Sequence, residues 1–162
     1  MIFYRYLFFG LVAIALLQSA FYYPQLPATV ASHWGASGDA DGWSSRSVFF
    51  AIYLSMVALV AVVFILIPHW TGRRGAMRMN IPNRDYWLAP ERAQATKAFF
   101  RRQMLILGIA HLALAIYTVQ LAIIANLRES GRLDDSIVWA LGLYFAFLAG
   151  WLLHLILHFR KP

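Results

Sequence analysis

The chain has 162 residues, 61% of them hydrophobic and 13% charged, with a formal net charge of +7 and no cysteine. A soluble domain devotes about 25% of its residues to charge, so this composition cannot coat a water-facing surface, and large apolar segments must meet lipid. Disulfides, thiolate metal sites and cysteine nucleophiles are excluded with the cysteines, and the positions of the basic residues point to membrane orientation rather than to nucleic acid.

A helix crosses the hydrocarbon core with about 20 apolar residues. Four stretches free of Asp, Glu, Lys and Arg meet that requirement, at about 6–22, 48–67, 104–124 and 137–159. A charge at mid-membrane costs about 2.5–3.5 kcal/mol on insertion scales, so such runs are what insertion favours. The expected architecture is all-α: one membrane domain over 1–162, a four-helix bundle with an ordered extracytoplasmic loop at 23–47 and a basic cytoplasmic loop at 68–103. The first stretch has a basic residue, Arg5, before it, but Gln18 and Ala20 make a poor small-x-small cleavage site, so it reads as a retained span.

The outer loop breaks the apolar pattern. Tyr23-Pro24-Gln25-Leu26-Pro27 is predicted to be extended, because a residue before proline is pushed out of helical conformation. Residues 28–34 suit a short strand. Gly38-Asp39 and Asp41-Gly42 are turn signals. Trp34 and Trp43 suit the headgroup layer, where an indole buries its ring and keeps its N–H hydrated. His33, Asp39 and Asp41 are the chemically interesting group. They offer a zinc or acid–base cluster, although zinc wants three or four ligands and the calcium-loop pattern is incomplete. The competing expectation is a hydrogen-bonded His33 that pins the loop.

Leu26, Pro27, His33, Gly38, Asp41, Gly42 and Trp43 together resemble the signature of a bacterial membrane family, that of domain of unknown function 1648. This domain also forms the N-terminus of SdpI-type immunity and signalling proteins. The inner run from Asn80 to Arg92 is similar to a stretch that accompanies the domain in shorter relatives, so the resemblance covers the first two spans and the inner loop. It implies a membrane protein that recognises something outside and reports inside. The further spans of the immunity proteins are absent here.

The basic loop orients the chain. Arg73, Arg74, Arg78, Arg84, Arg92, Lys97, Arg101 and Arg102 lie in it, Arg5 precedes the first span, and Arg160 and Lys161 follow the last; Arg46, Arg128 and Arg132 stand opposite. Eleven against three puts both termini in the cytoplasm of a bacterial cell, bounded by its inner membrane. The same loop is a candidate site for anionic lipid or a cytoplasmic regulator. Within it Asn83, Asp85, Tyr86, Trp87, Pro90, Glu91 and Arg92 form the second motif. Tyr86, Trp87 and Leu88 are available to dip into the inner leaflet. A helix is expected to start at Pro90, with Glu91 at its positive end, and to run into the third span. This segment reads either as a docking surface or as an interfacial collar.

In the last two spans, Gly142, Ala146, Gly150, His154 and His158 recur every four residues, and His111, Ala115, Thr118 and Ala122 share a stripe. Small residues at that spacing let helices approach closely, so both stripes are expected to pack, with His111 and His154 facing inward and close together. Each is then either a neutral histidine bonded to a carbonyl or neighbour, or an axial ligand of a b-type haem, with His69 or His158 as further candidates. All seven Asp and Glu fall in loops, and the obvious triad and phosphate-binding motifs are missing. The first expectation is therefore a non-enzymatic membrane protein that binds another membrane protein or itself through the outer loop or helix faces. The alternatives are haem electron transfer through His111 and His154, and a metal-assisted enzyme centred on His33.

Overall fold

In the computed structural model, residues 1–68, 81–128 and 131–160 are described; His69, Arg73, Arg74, Arg78, Asn80, Glu129 and Lys161, which entered the sequence reading, lie outside them. Helix α1 (Ile2–Tyr22) leads into an antiparallel hairpin of β1 (Thr29–Trp34) and β2 (Ala40–Ser45). Helix α2 (Arg46–Ala61) begins directly from the hairpin, its first turn capped by the Ser45 hydroxyl, which accepts from the Val48 amide at 3.3 Å. It continues as a π-helical turn over Val62–Leu66. A single helical turn, α3 (Arg84–Trp87), precedes the long α4 (Ala93–Leu127), and α5 (Ser136–Arg160) follows.

Among the described residues, four helices are long and apolar enough to cross a membrane: α1, α2 with its π turn, α4 and α5. At about 1.5 Å per residue, the 21 residues of α1 rise about 30 Å, the thickness of the hydrocarbon core. Four successive crossings bring residues 81–92 and both ends of the described chain to one end of the bundle. The hairpin and residues 131–135 lie at the other. Helices α1 and α4 therefore run parallel, Phe8 meeting Gly108 at one level and Gln18 meeting Ile116 and Gln120 further along.

Gly108 is where the core closes. A Cβ there would stand 2.8 Å from Phe8 Cε2 and 2.9 Å from Phe64 Cβ, so the missing side chain is what lets α1 and the π turn meet α4. Phe8 and Leu112 are fully buried around this contact, as is Ile123 further along α4. Nearer the hairpin, Gln18 is buried among three helices. Its Nε2 donates to Gln120 Oε1 at 2.8 Å and to the Ile116 carbonyl at 3.2 Å, and its Oε1 accepts from the Tyr53 hydroxyl at 2.7 Å. Gln120 Nε2 in turn donates to the Tyr22 hydroxyl at 3.1 Å. Interhelical bonds of this kind are worth about 0.6–2 kcal/mol each in lipid.

Helix α5 is peripheral. Of its described residues only Phe159 is buried, and Val138, Trp139, Leu143 and Phe145 point away from the bundle. This corrects the packing expected from its small residues. Gly142, Ala146 and Gly150 are exposed, and nothing lies within 4 Å of a Cβ built on either glycine. Spacing identifies a face but not the neighbour it meets. The α4 stripe does pack, with Ala115 and Ala122 buried. Asp134 starts α5 by accepting from the Ser136 amide at 2.9 Å.

Three local expectations also change. Tyr23, before Pro24, stays helical at φ −51° and ψ −48°. The amides of Gln25 and Leu26 both bond the Tyr22 carbonyl, and this turn outweighs the pre-proline bias. Asp41-Gly42 lies inside β2 and not in a turn. Helix α4 starts at Ala93, because residues 88–92 form turns in which the Arg92 and Ala93 amides both bond the Ala89 carbonyl, leaving Pro90 ahead of the helix.

Gly108→Ala is expected to destabilise the detergent-solubilised protein by about 1–3 kcal/mol through overpacking, whereas Gly142→Ala leaves its melting temperature unchanged; thermal unfolding of both variants checks this. A second expectation concerns pH. Hydrogen bonds from the Ser136 side chain and amide, helped by the Arg128 charge, hold the Asp134 carboxyl below its ordinary value of 3.8. Its contribution to the start of α5 is thus complete above pH 3.8 and is lost as pH falls through the lower folded value. Amide exchange at 136–139 should accelerate on that descent in the parent chain and not in Asp134→Asn.

Candidate functional site

The hairpin carries the densest set of sequence-predicted residues, and it is fastened to the bundle at three places. At its base, the Arg46 amide donates to the Ala28 carbonyl at 2.9 Å and its guanidinium to the Leu26 carbonyl at 2.6 Å, while the same guanidinium lies over the Tyr23 ring. Leu26 and Val30 plug into the core beneath, with Pro27 exposed between them. Along the edge of β1, the Asn126 side chain of α4 accepts from the Ala31 amide at 2.7 Å and donates to the Ala31 carbonyl at 2.9 Å. This side-chain amide thereby occupies the place of a third strand. At the tip, Trp34 Nε1 donates to the Gly131 carbonyl at 3.0 Å and the Leu133 amide to the Gly38 carbonyl at 2.9 Å.

The chain reverses at 35–39. The Gly35 amide bonds the Asp39 carbonyl, the Gly38 amide bonds the Gly35 carbonyl, and Gly38 takes φ +84°, a conformation that favours glycine. Two register shifts follow, leaving Ser32 on β1 and Asp41 on β2 without partners in the ladder. Bulges of this kind re-aim side chains. Here they set His33 opposite Gly42 and bring His33 Nδ1 to 2.5 Å from Asp41 Oδ1, both side chains remaining more than half exposed. A Cβ on Gly42 would lie 2.9 Å from His33 Cβ, so the glycine makes room for the histidine. The Asp-Gly-Trp signature thus has a mechanical explanation: Asp41 orients the imidazole, Gly42 clears its path, and Trp43 stands 62% exposed beside them. Trp34, in contrast, is half-buried and spends its N–H on Gly131 instead of on headgroup water. No group of three or more His, Asp or Glu side chains arranged to hold a metal exists among the described residues, so Asp39 stands apart from the His33–Asp41 pair.

The inner motif performs a different task. Asn83, at φ +52°, donates from Nδ2 to the Phe159 and Arg160 carbonyls at 3.2 and 2.9 Å, and Trp87 Nε1 donates to the Phe159 carbonyl at 3.1 Å. These bonds satisfy carbonyls that a helix end leaves open. Trp87 also stacks on His158 at 4.9 Å, so it grips α5 instead of dipping freely into a leaflet. Arg92 locks the turn, donating to the Tyr86 carbonyl, lying over the Tyr86 ring and pairing with Glu91; Pro90 and Asp85 are exposed nearby.

His111 and His154 are not brought together. His111 Nδ1 faces the Leu107 carbonyl at 2.8 Å, which fixes the proton on that nitrogen, and the Tyr144 hydroxyl lies 2.9 Å from Nε2. Both nitrogens thus have a hydrogen-bonding partner within the bundle. His154 is exposed and sits 3.4 Å from Gln103 Nε2, eight residues or about 12 Å down α4 from His111. The residues that sequence reasoning passed over are amides: Gln18, Gln120 and Asn126. Each is a polar side chain within seven residues of the hairpin end of an apolar helix, and that was the available signal.

Asn126→Ala removes both partners of Ala31 and is expected to free the hairpin, at a cost of about 1–3 kcal/mol for groups left unpaired. Limited proteolysis between residues 28 and 45 should become faster, while Asp41→Ala, which touches only the exposed pair, leaves the cleavage rate near that of the parent.

No curated protein and no solved structure matches the chain. Residues 10–57, comprising the second half of α1, the hairpin and most of α2, match the family model described as domain of unknown function (DUF1648), the family that the Leu26–Trp43 signature resembles.

Proposed function

We propose that this small multi-span membrane protein is a non-enzymatic binding protein whose hairpin recognises another membrane protein, in the manner of an immunity, sensing or accessory subunit. The observation that carries the proposal is the combination of rigidity and exposure at one place. The hairpin is fastened by Arg46, Asn126 and Trp34, yet it presents His33, Asp41 and Trp43 outward. A preorganised surface binds without a large ordering cost, and exposed tryptophans are typical anchors of protein interfaces. The charge distribution along the sequence, with eleven Lys and Arg before the first span, between the second and third and after the fourth against three in the other two connections, supports a cytoplasmic location for both termini in a bacterial inner membrane, with the hairpin outside.

The absence of native cysteine makes the topology simple to test. A single cysteine replacing Ser37, exposed in the reversal between the strands, should react with a membrane-impermeant maleimide in intact cells, and one replacing Arg84 should react only after lysis. For recognition, a photo-crosslinking residue in place of Trp43 is expected to yield one adduct of defined mass in the native membrane, reduced at least severalfold by Asp41→Ala. Adducts formed only from the α5 face, with the crosslinker at Trp139, would overturn recognition by the hairpin.

A further inference from the structure

At the end of the bundle away from the hairpin, α1, the π turn and α4 separate and leave a cleft of about 180 Å³. Its apolar walls come from Phe64, Ile65, Pro68 and Leu105, and Met1, Arg5 and Arg101 complete the lining. Among the described residues no carboxylate lines it. Arg101 Nε is withdrawn from solvent and has no hydrogen-bond partner among the described residues. A buried polar donor left unmade costs about 1–3 kcal/mol, and more when it is charged. Other arginines of the chain are spent differently. Arg92 pairs with Glu91, Arg128 lies near Asp134 and Arg132 near Asp135, and Arg102, next in sequence to Arg101, lies over the Phe99 ring. Nor can the neighbouring stretch 69–80 supply a counter-charge, since it contains no Asp or Glu.

We infer that this cleft binds the phosphate of an anionic phospholipid, held between Arg5 and Arg101, with the beginning of an acyl chain on Phe64, Ile65 and Leu105. Guanidinium groups recognise phosphate oxygens through parallel charge-assisted hydrogen bonds. Arg5 lies three residues into α1, about 5 Å from its end, at the level where a spanning helix passes from headgroups to hydrocarbon. A soluble phosphate would satisfy the arginines and leave the apolar walls unused, which favours the lipid. The site is independent of the hairpin and of whatever the hairpin recognises.

Native mass spectrometry of the full chain released from bilayers of mixed phosphatidylglycerol and phosphatidylcholine tests the assignment. The parent protein is expected to retain one phosphatidylglycerol, Arg101→Gln to retain about tenfold less, and Arg102→Gln to match the parent. Equal retention by Arg101→Gln and the parent, equal loss in Arg102→Gln, or no preference over phosphatidylcholine would overturn it. Displacement of the lipid by excess inorganic phosphate would also overturn it by assigning the site to a soluble anion. Thermal unfolding without anionic lipid keeps the comparison clean, because Arg101→Gln relieves an unpaired charge and should melt no lower than the parent. If Arg101→Gln does not fold, Arg5→Gln, at an exposed position, is expected to give the same loss of phosphatidylglycerol, and unchanged retention there would equally refute the site.

Discussion

Within lipid a polar group has no water to return to, and leaving it without a partner inside the protein is costly. Gln18 shows what this constraint does to the fold. Its amide uses both donors and an acceptor, on Gln120, the Ile116 carbonyl and Tyr53, and so one side chain on α1 fixes the rotation of α2 and the axial position of α4. Hydrophobic attraction between helices is weak when lipid tails are equally apolar, so directional bonds and close packing take over the task of specifying geometry. The Gly108 contact supplies the packing at one level and the Gln18 network the bonds at another. With two fixed levels, α1, α2 and α4 form one body. Helix α5 has neither device on its exposed face and is held by Tyr144, Asn83 and Trp87 along one edge.

The hairpin follows the same logic at the membrane boundary. A two-stranded sheet is marginal alone, and its outer edges invite pairing with other chains. Asn126 closes one edge of β1 at Ala31 with a side chain that reproduces the bonds of a neighbouring strand. Because the anchoring is done by Arg46, Asn126, Trp34 and the buried Leu26 and Val30, the side chains of His33, Asp41 and Trp43 are left without structural duty toward the bundle. A histidine oriented by a carboxylate beside an exposed indole is a surface of defined shape, chemically distinct from the apolar helices around it.

The four long helices were legible because charge is expensive in lipid: each holds one of the stretches of about 20 residues without Asp, Glu, Lys or Arg, although α4 begins eleven residues before its stretch and carries Lys97, Arg101 and Arg102 there. The strand at 28–34 was legible too, from its composition, whereas the His33–Asp41 contact is exposed and the hairpin is fastened elsewhere, by Arg46, Asn126 and Trp34. Other features were not, for physical reasons. The Gly142-Ala146-Gly150 stripe has the periodicity of a packing face, yet periodicity carries no information about which helix, if any, lies opposite. Asp41-Gly42 has the composition of a turn, but its glycine answers a cross-strand demand from His33, which local sequence cannot reveal. The amides Gln18, Gln120 and Asn126 are uncharged and do not interrupt a hydropathy profile, so the residues that specify the bundle most sharply leave the faintest trace.

The π turn at Val62–Leu66 sets the phase of everything that follows it. Such a turn holds one more residue than the α-helix around it would, and the Ile67 amide closes it on the Val62 carbonyl. A chain one residue shorter here would revert to uniform helix, and its downstream side chains would swing about 100° around the axis. Phe64 would then leave Gly108, and Pro68 would no longer wall the arginine cleft. The length of this segment is accordingly as constrained as its chemistry: homologous substitution is tolerable there in a way that insertion or deletion is not.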